Sequence, residues 1–255
     1  MQNFVLVVAK KQESKFMWLH KILKYSGKRF GEYIIERSIG EGRYGMCFLA
    51  RSDIGDNVVI KKFKPNIFKK NVKRNVDEAV ILSKLSCDGI PKLLGVTNQK
   101  GLYGFVLEFK HGYTVKDLLF KYDHKFTKEE FFNIGLKLIK IIKYIHANGV
   151  VHRDIRIPNV MVDKDEVYLI DFGSARWADN DKYPYDLDFS FLGDFLLYLL
   201  YSSYEVDGKH KNLPWHKELL LTIKQRLFLQ KLLGIEVAYG NINDIEIDFI
   251  DEFNV

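Results

Sequence analysis

The spacing of the apolar residues changes character once along this 255-residue chain, at Lys110-His111-Gly112, and that change governs what the chain can fold into. Before it, Tyr33 to Gly40, Gly45 to Arg51 and Asn57 to Phe63 are short runs rich in β-branched and aromatic residues, separated by Gly, Asp and Asn. Such runs read as antiparallel strands joined by turns. A helical stretch follows, about Lys69 to Ser86, with Glu78, Leu82 and Leu85 on one face. Two more strands flank Asn98-Gln99-Lys100-Gly101, the second running Leu102 to Phe109. Beyond the break, Thr127 to Asn148 carries a capping box in Thr127 and Glu130 and a stop at Gly149. Its core stripe is Phe131, Ile134, Leu138, Ile141, Ile142 and Ile145. A hairpin is expected from Val160–Val162 and Val167–Ile170 about Asp163-Lys164-Asp165, then helices at about Asp188–Tyr204 and Pro214–Leu233, then a tail rich in Asp, Glu and Ile. Strands first and helices second imply an α+β chain.

Composition excludes several classes. Apolar residues make up 47% and charged residues 28%, which fits a packed globular domain and excludes disorder and coiled coils. A net charge of +6 suits anionic ligands, and no nucleic-acid partner is expected from so mild a bias. Cys47 and Cys87 are too few for a disulfide scaffold and fit a reducing compartment. No run reaches the ~18 apolar residues of a membrane span; the longest, Phe189 to Tyr201, is interrupted by Gly193-Asp194. Phe4 to Val8 lacks a basic flank and is shorter than the ~7–15 residues of a signal core. A cytoplasmic location is therefore expected.

Gly40-Glu41-Gly42-Arg43-Tyr44-Gly45 is a G-x-G-x-x-G lying between two strands, whereas a dinucleotide fingerprint needs a helix directly after it. Glycines there let backbone N–H groups approach phosphate oxygens, although a plain hairpin turn would also account for them. Val58-Val59-Ile60-Lys61 ends the next strand on a lysine, and Glu78 lies on the following helix. A lysine held by a carboxylate is a fixed charge for phosphates, while Lys62 and Lys64 read as a solvated charge run. Farther on come His152-Arg153-Asp154-Ile155-Arg156-Ile157-Pro158-Asn159 and Asp171-Phe172-Gly173.

These five elements, in this order, resemble the protein kinase superfamily, over about Tyr33 to Leu233. The resemblance implies a two-lobed protein kinase-like fold, with an N-lobe of antiparallel sheet plus helix and a mostly helical C-lobe. The expected bounds are an extension over residues 1–27, an N-lobe over about 28–109 and a C-lobe over about 112–255. It also implies ATP and Mg²⁺ as cofactors. Asp154 would accept or orient the proton of the attacking hydroxyl, Asn159 and Asp171 would hold Mg²⁺, and Lys61 with Glu78 would serve the α/β-phosphates. Gly40, Gly42 and Gly45 would cover the phosphates. Leu107 would stand as gatekeeper, the Glu108-Phe109 backbone would meet the adenine edge, and Cys47, Val59 and Met161 would sandwich the base. Leu82, His152, Phe172 and Asp188 match the internal stack of an active kinase. Arg156 stands where serine/threonine kinases usually carry lysine, and keeps the positive charge near the γ-phosphate.

The segment after Gly173 departs from the family. Seventeen positions separate Asp171 from Asp188, no A-P-E lies between them, and Ser174 is the sole Ser or Thr there. The loop is too short to be ordered by a phosphate, so activity without phosphorylation is expected. Arg153 would then be satisfied by a backbone carbonyl or by Asp179, Asp181 or Asp186. Tyr183-Pro184-Tyr185 reads as a loop turn before the next helix, with tyrosine phosphorylation as the other possibility. In the extension, Lys15 to Tyr25 reads as a helix packed on the small lobe, with a membrane surface or a partner as the other possibility. The activity expected is transfer of the γ-phosphoryl of ATP to a hydroxyl, Ser/Thr of a protein or of the chain itself. The alternatives are a small-molecule phosphotransferase acting on a sugar, lipid or antibiotic, and a pseudokinase scaffold, against which the full set of Lys61, Glu78, Asp154, Asn159 and Asp171 counts.

Overall fold

The structure, a computed structural model, describes residues 25–42, 45–66, 72–99, 102–179, 181–204 and 213–254. Its contacts divide into two units, Met1–Val72 with Leu93–Phe109, and Lys73–Lys92 with Lys110–Val255.

The first unit is one antiparallel sheet. Strands β1 (Arg29–Phe30), β2 (Tyr33–Glu41), β3 (Gly45–Ser52), β4 (Asn57–Phe63), β5 (Leu93–Gln99) and β6 (Leu102–Glu108) lie in the order β1-β2-β3-β4-β6-β5. Phe48, Ala50, Val58, Ile60 and Val106 alternate onto one face, where they bury with Phe30 and Ile35. Tyr25 closes that core against Phe48, ring centroids 5.1 Å apart. Lys62 crosses the Tyr25 ring at 4.3 Å and donates to its hydroxyl at 3.0 Å. Tyr25 is the last residue of the expected Lys15–Tyr25 helix; the rest lies outside the described residues.

The second unit is mostly helical. It takes in α1 (Val72–Lys84) from its second residue on, then β7 (Tyr113–Thr114), α2 (Val115–Phe120), α3 (Lys128–Ala147) and β8 (Val150–Val151). The hairpin β9 (Val160–Asp163) and β10 (Glu166–Leu169) leads to a 3₁₀ turn at Phe172–Ser174 and to β11 (Arg176–Trp177). Helices α4 (Asp186–Ser202), α5 (Trp215–Glu218), α6 (Ile223–Leu232) and α7 (Ile242–Phe253) complete it. The expected Lys69–Ser86 helix is described from Val72 to Lys84, and residues 67–71 lie outside the description.

Helix α3 is the axis of this unit, and its local signals hold. Glu130 N–H donates to the Thr127 hydroxyl at 3.2 Å, and Thr127 N–H donates to the Glu130 carboxylate at 2.8 Å. Gly149 takes φ +73°, which its missing Cβ makes inexpensive. All six stripe residues are buried. Thr127→Ala is expected to cost about 1 kcal/mol and to lower the melting temperature by about 2–4 °C. Thermal unfolding followed by circular dichroism checks this, and an unchanged midpoint would show the cap to be dispensable.

Two expectations are corrected. The single helix expected over Pro214–Leu233 is two, because Leu219 turns extended (ψ 133°) and Thr222 caps a new start. Gln225 N–H donates to the Thr222 hydroxyl and Thr222 N–H to the Gln225 amide oxygen, both at 3.1 Å. The acidic tail is helix α7, capped by Asn241, whose side chain accepts from the N–H groups of Asn243 and Asp244. It buries Ile242, Ile245, Phe249 and Phe253. Phe249 lies so close to α3 that a Cβ on Gly135 would come within 2.4 Å of its ring.

Candidate active site

In the sheet unit, strand register places the candidate ligand-facing residues. Opposed residues share a face, and Lys61 pairs with Cys47 and Phe105, as Val59 does with Leu49 and Leu107. Cys47, Val59, Lys61 and Leu107 therefore line the face opposite the Phe48–Ile60 core. Lys61 is buried, and the other three are half-buried. Glu108 ends β6 and Phe109 follows it, both half-buried.

The glycine hairpin separates a packing role from an open one. A Cβ on Gly45 would fall 2.2 Å from the Lys62 carbonyl, so the approach of β3 to β4 requires that glycine. A Cβ on Gly40 or Gly42 would meet nothing within 4 Å. Packing therefore explains Gly45 and leaves Gly40 and Gly42 unexplained. Gly42 N–H donates to the Gly45 carbonyl at 2.9 Å, and the Lys64 ammonium ties the hairpin down through the Gly42 carbonyl and Glu41, both at 3.1 Å.

In the helical unit, Asp154, Arg156 and Asn159 meet directly. The Asn159 side-chain amide donates to the Asp154 main-chain carbonyl and to its carboxylate, both at 2.9 Å. Both partners are acceptors only, so the NH₂ must face them and the Asn159 amide oxygen points elsewhere. Arg156 forks onto the same carboxylate, Nε at 2.5 Å and Nη2 at 3.0 Å. Ile170 N–H donates to the Asn159 carbonyl at 2.8 Å, which brings Asp171 beside this loop. Met161 lies on β9, paired with Tyr168 and Thr114. Glu78 is buried on α1, as is Leu82 one turn later.

Two non-glycine residues here have left-handed backbones, Arg153 at φ 65° and Asp171 at φ 62°. Each such conformation costs about 1–3 kcal/mol and persists only where its surroundings enforce it. For Asp171 the reward is local, since its carboxylate accepts from Gly173 N–H at 3.3 Å and starts the 3₁₀ turn. For Arg153 the clamp is Asp188, fully buried. Its two oxygens accept from the N–H groups of His152 (2.8 Å) and Arg153 (2.7 Å). The His152 ring is edge-on to Phe172 at 4.7 Å, and burial pushes its imidazole well below the ordinary range, so it stays neutral.

Sequence reasoning missed His146. Its ring nitrogen sits 3.0 Å from the Asp188 carboxylate, a third partner for that buried charge. The signal was its spacing, one turn after Ile142 on the buried face of α3. Arg153 meets a backbone carbonyl, donating to that of Ser174 at 3.3 Å, and its guanidinium covers the Tyr183 ring at 4.5 Å. The carboxylates offered for it are otherwise placed: Asp179 accepts the N–H groups of Asp181, Lys182 and Tyr183, and Asp181 and Asp186 are exposed.

The family model for the protein kinase domain matches residues 33–194. The chain is 33% identical over 225 residues to "Probable serine/threonine-protein kinase YbdM" of Bacillus subtilis, covering 85% of this chain and 88% of that one. A "Probable casein kinase I homolog" of Encephalitozoon cuniculi is 33% identical over 59% of this chain and 48% of its own length. A probable serine/threonine-protein kinase of Clostridium perfringens is 30% identical over 60% of this chain and 23% of its own. The chain belongs to the protein kinase superfamily. It is an enzyme of the phosphotransferase class, with the α+β fold of that superfamily. No helix among the described residues is long and apolar enough to cross a membrane.

Proposed function

We propose that this chain transfers the γ-phosphoryl group of ATP to a serine or threonine hydroxyl of a protein, itself included, with Mg²⁺ and in the cytoplasm. The observation that carries the reading is the double use of Asn159. Its NH₂ holds the Asp154 carboxylate, which leaves an oxygen, the donor type Mg²⁺ takes, on the same side chain. Asp171, brought alongside by the Ile170–Asn159 hydrogen bond, adds a carboxylate. One amide oxygen and one carboxylate fit an ion that takes its remaining ligands from phosphates and water.

Asp154 orients the acceptor hydroxyl and takes its proton. Asn159 and Asp171 would hold Mg²⁺, which when bound would offset the charge of the phosphate oxygens. Arg156 is more than half exposed, so its pair with Asp154 contributes little and its fork can turn to a phosphate. Gly40 and Gly42 give backbone N–H groups room to approach phosphates, with Gly45 keeping the hairpin closed. Lys61 serves the α/β-phosphates, and Glu78 keeps the role the resemblance implies. Cys47, Val59, Leu107 and Met161 serve the base, and the Glu108-Phe109 backbone its edge.

A second reading, a small-molecule acceptor, is favoured by one observation: β11 ends at Trp177 and α4 begins at Asp186, so a connection of eight residues stands where a peptide-seating segment would lie. Labelled ATP with Mg²⁺, offered generic proteins and a panel of small hydroxyl compounds, decides between the two. Label in protein is the expected result, and label confined to a metabolite would replace it. Phosphatase treatment, or Ser174→Ala, is expected to leave the initial rate within about twofold. A tenfold loss, about 1.4 kcal/mol of barrier, would show that phosphorylation of this segment is needed.

A further inference from the structure

We infer that Tyr183 is a positioning residue, whose ring face holds the Arg153 guanidinium and so keeps the catalytic loop in the conformation that presents Asp154. The inference rests on the kinase reading for its consequence and on packing for its evidence.

Arg153 is the residue before Asp154, and its left-handed backbone must be held in place. The Asp188 carboxylate holds its N–H, and the side chain needs a second anchor. That anchor has two parts, the Ser174 carbonyl at 3.3 Å and the face of Tyr183 at 4.5 Å. A planar cation over an aromatic ring is attracted by the ring's negative face, more strongly where water is partly excluded. Arg153 and Tyr183 are both half-buried.

The position of Tyr183 is itself built. Asp179 N–H donates to the Tyr183 carbonyl at 3.2 Å, and one Asp179 oxygen collects three N–H groups of the same turn. Those contacts hold the Asp179 carboxylate below its ordinary range. The Lys182 ammonium also lies 5.3 Å from the Tyr183 ring centroid. The same stretch of chain also reaches α1. The Arg176 guanidinium lies 4.0 Å from the Asp77 carboxylate, and the Lys84 ammonium 4.7 Å over the Trp177 ring. Residues 174–179 and 181–183 thus link the catalytic loop to the helix bearing Glu78 through two cation–ring contacts and one ion pair, none of which needs a modification.

The test compares Tyr183→Phe, which keeps the ring, with Tyr183→Leu and Tyr183→Ala, which remove it. Two measurements are made on the full chain: hydrogen exchange of the peptide spanning residues 150–156, and kcat and KM for ATP. Exchange in the α3 core shows that each variant is folded, and Leu preserves bulk should Ala unfold the chain. Leu and Ala are expected to speed exchange of the 150–156 peptide at least tenfold and to lower kcat about tenfold, with KM for ATP within twofold. Phe is expected to behave as wild type in both. Wild-type exchange in Tyr183→Leu would overturn the inference, as would a loss in Tyr183→Phe equal to that in Tyr183→Leu. An inactive wild type showing the expected exchange pattern would sink the kinase reading and leave the ring anchor standing.

Discussion

Asp154→Asn lowers kcat by roughly 10²–10⁴-fold, the span measured for removing a positioned acid or base, or about 2.7–5.5 kcal/mol of barrier. The replacement has the same shape and keeps an oxygen, so the loss reports the carboxylate alone. The loop survives the change, because one Asn159 hydrogen bond goes to the main-chain carbonyl of residue 154, which the substitution leaves in place. The Arg156 pair is lost, but that arginine is mostly exposed and such pairs are worth about 1 kcal/mol or less. Affinity for ATP is held by other groups and stays near wild type. Single-turnover rates at saturating ATP, with melting temperatures alongside, make the comparison. More than about a tenth of the wild-type rate would remove Asp154 from its assigned role.

Asp171→Asn acts on the other half of the site. Asn can still accept from Gly173 N–H, so the 3₁₀ turn at Phe172–Ser174 and the fold are expected to remain. What disappears is the negative charge that the proposed metal site uses. With ATP and Mg²⁺ about 100-fold above Kd, the wild type gains about 2.7 kcal/mol of stability. The variant is expected to gain no more with Mg²⁺ than with ATP and a chelator, and its transfer rate falls with its metal affinity. Thermal shift titrations in both conditions check this. An unchanged Mg²⁺-dependent increment would take Asp171 out of the metal site while leaving the Asp154 result untouched.

Lys62 and Lys64 show how little a charge run says about its members. In the sequence Lys61 stands out only through its motif, and Lys62 and Lys64 read alike as a solvated charge run. In the sheet, Lys61 is buried on the face of Cys47 and Phe105, Lys62 stacks on Tyr25, and Lys64 fastens the Gly42 carbonyl. The period of two along β4 turns alternate residues to opposite faces, and the register with β3 and β6 decides what each face meets.

What the sequence determined by itself is whatever depends on a few neighbouring residues. The strands from Tyr33 to Phe63, the limits of α3 and the order of the glycine hairpin, Lys61, the His152–Asn159 loop and Asp171-Phe172-Gly173 were all legible. Caps, turns and apolar periods act within one or two turns of chain. The same kind of signal was present at Thr222-Ile223-Lys224-Gln225 and at Asn241, but it competed there with the helical spacing of the leucines and with an acidic, tail-like composition. Packing settled the second case, since α7 is ordered by burying Phe249 and Phe253 against Phe131 of α3. Only the tertiary structure could bring His146 to Asp188 and Tyr183 to Arg153. A buried carboxylate and a strained arginine must find partners within hydrogen-bond or ring-contact distance. Which residues stand that close, 42 positions apart in the first pair, is decided by how the helices and the short segment after Gly173 pack, not by any local pattern.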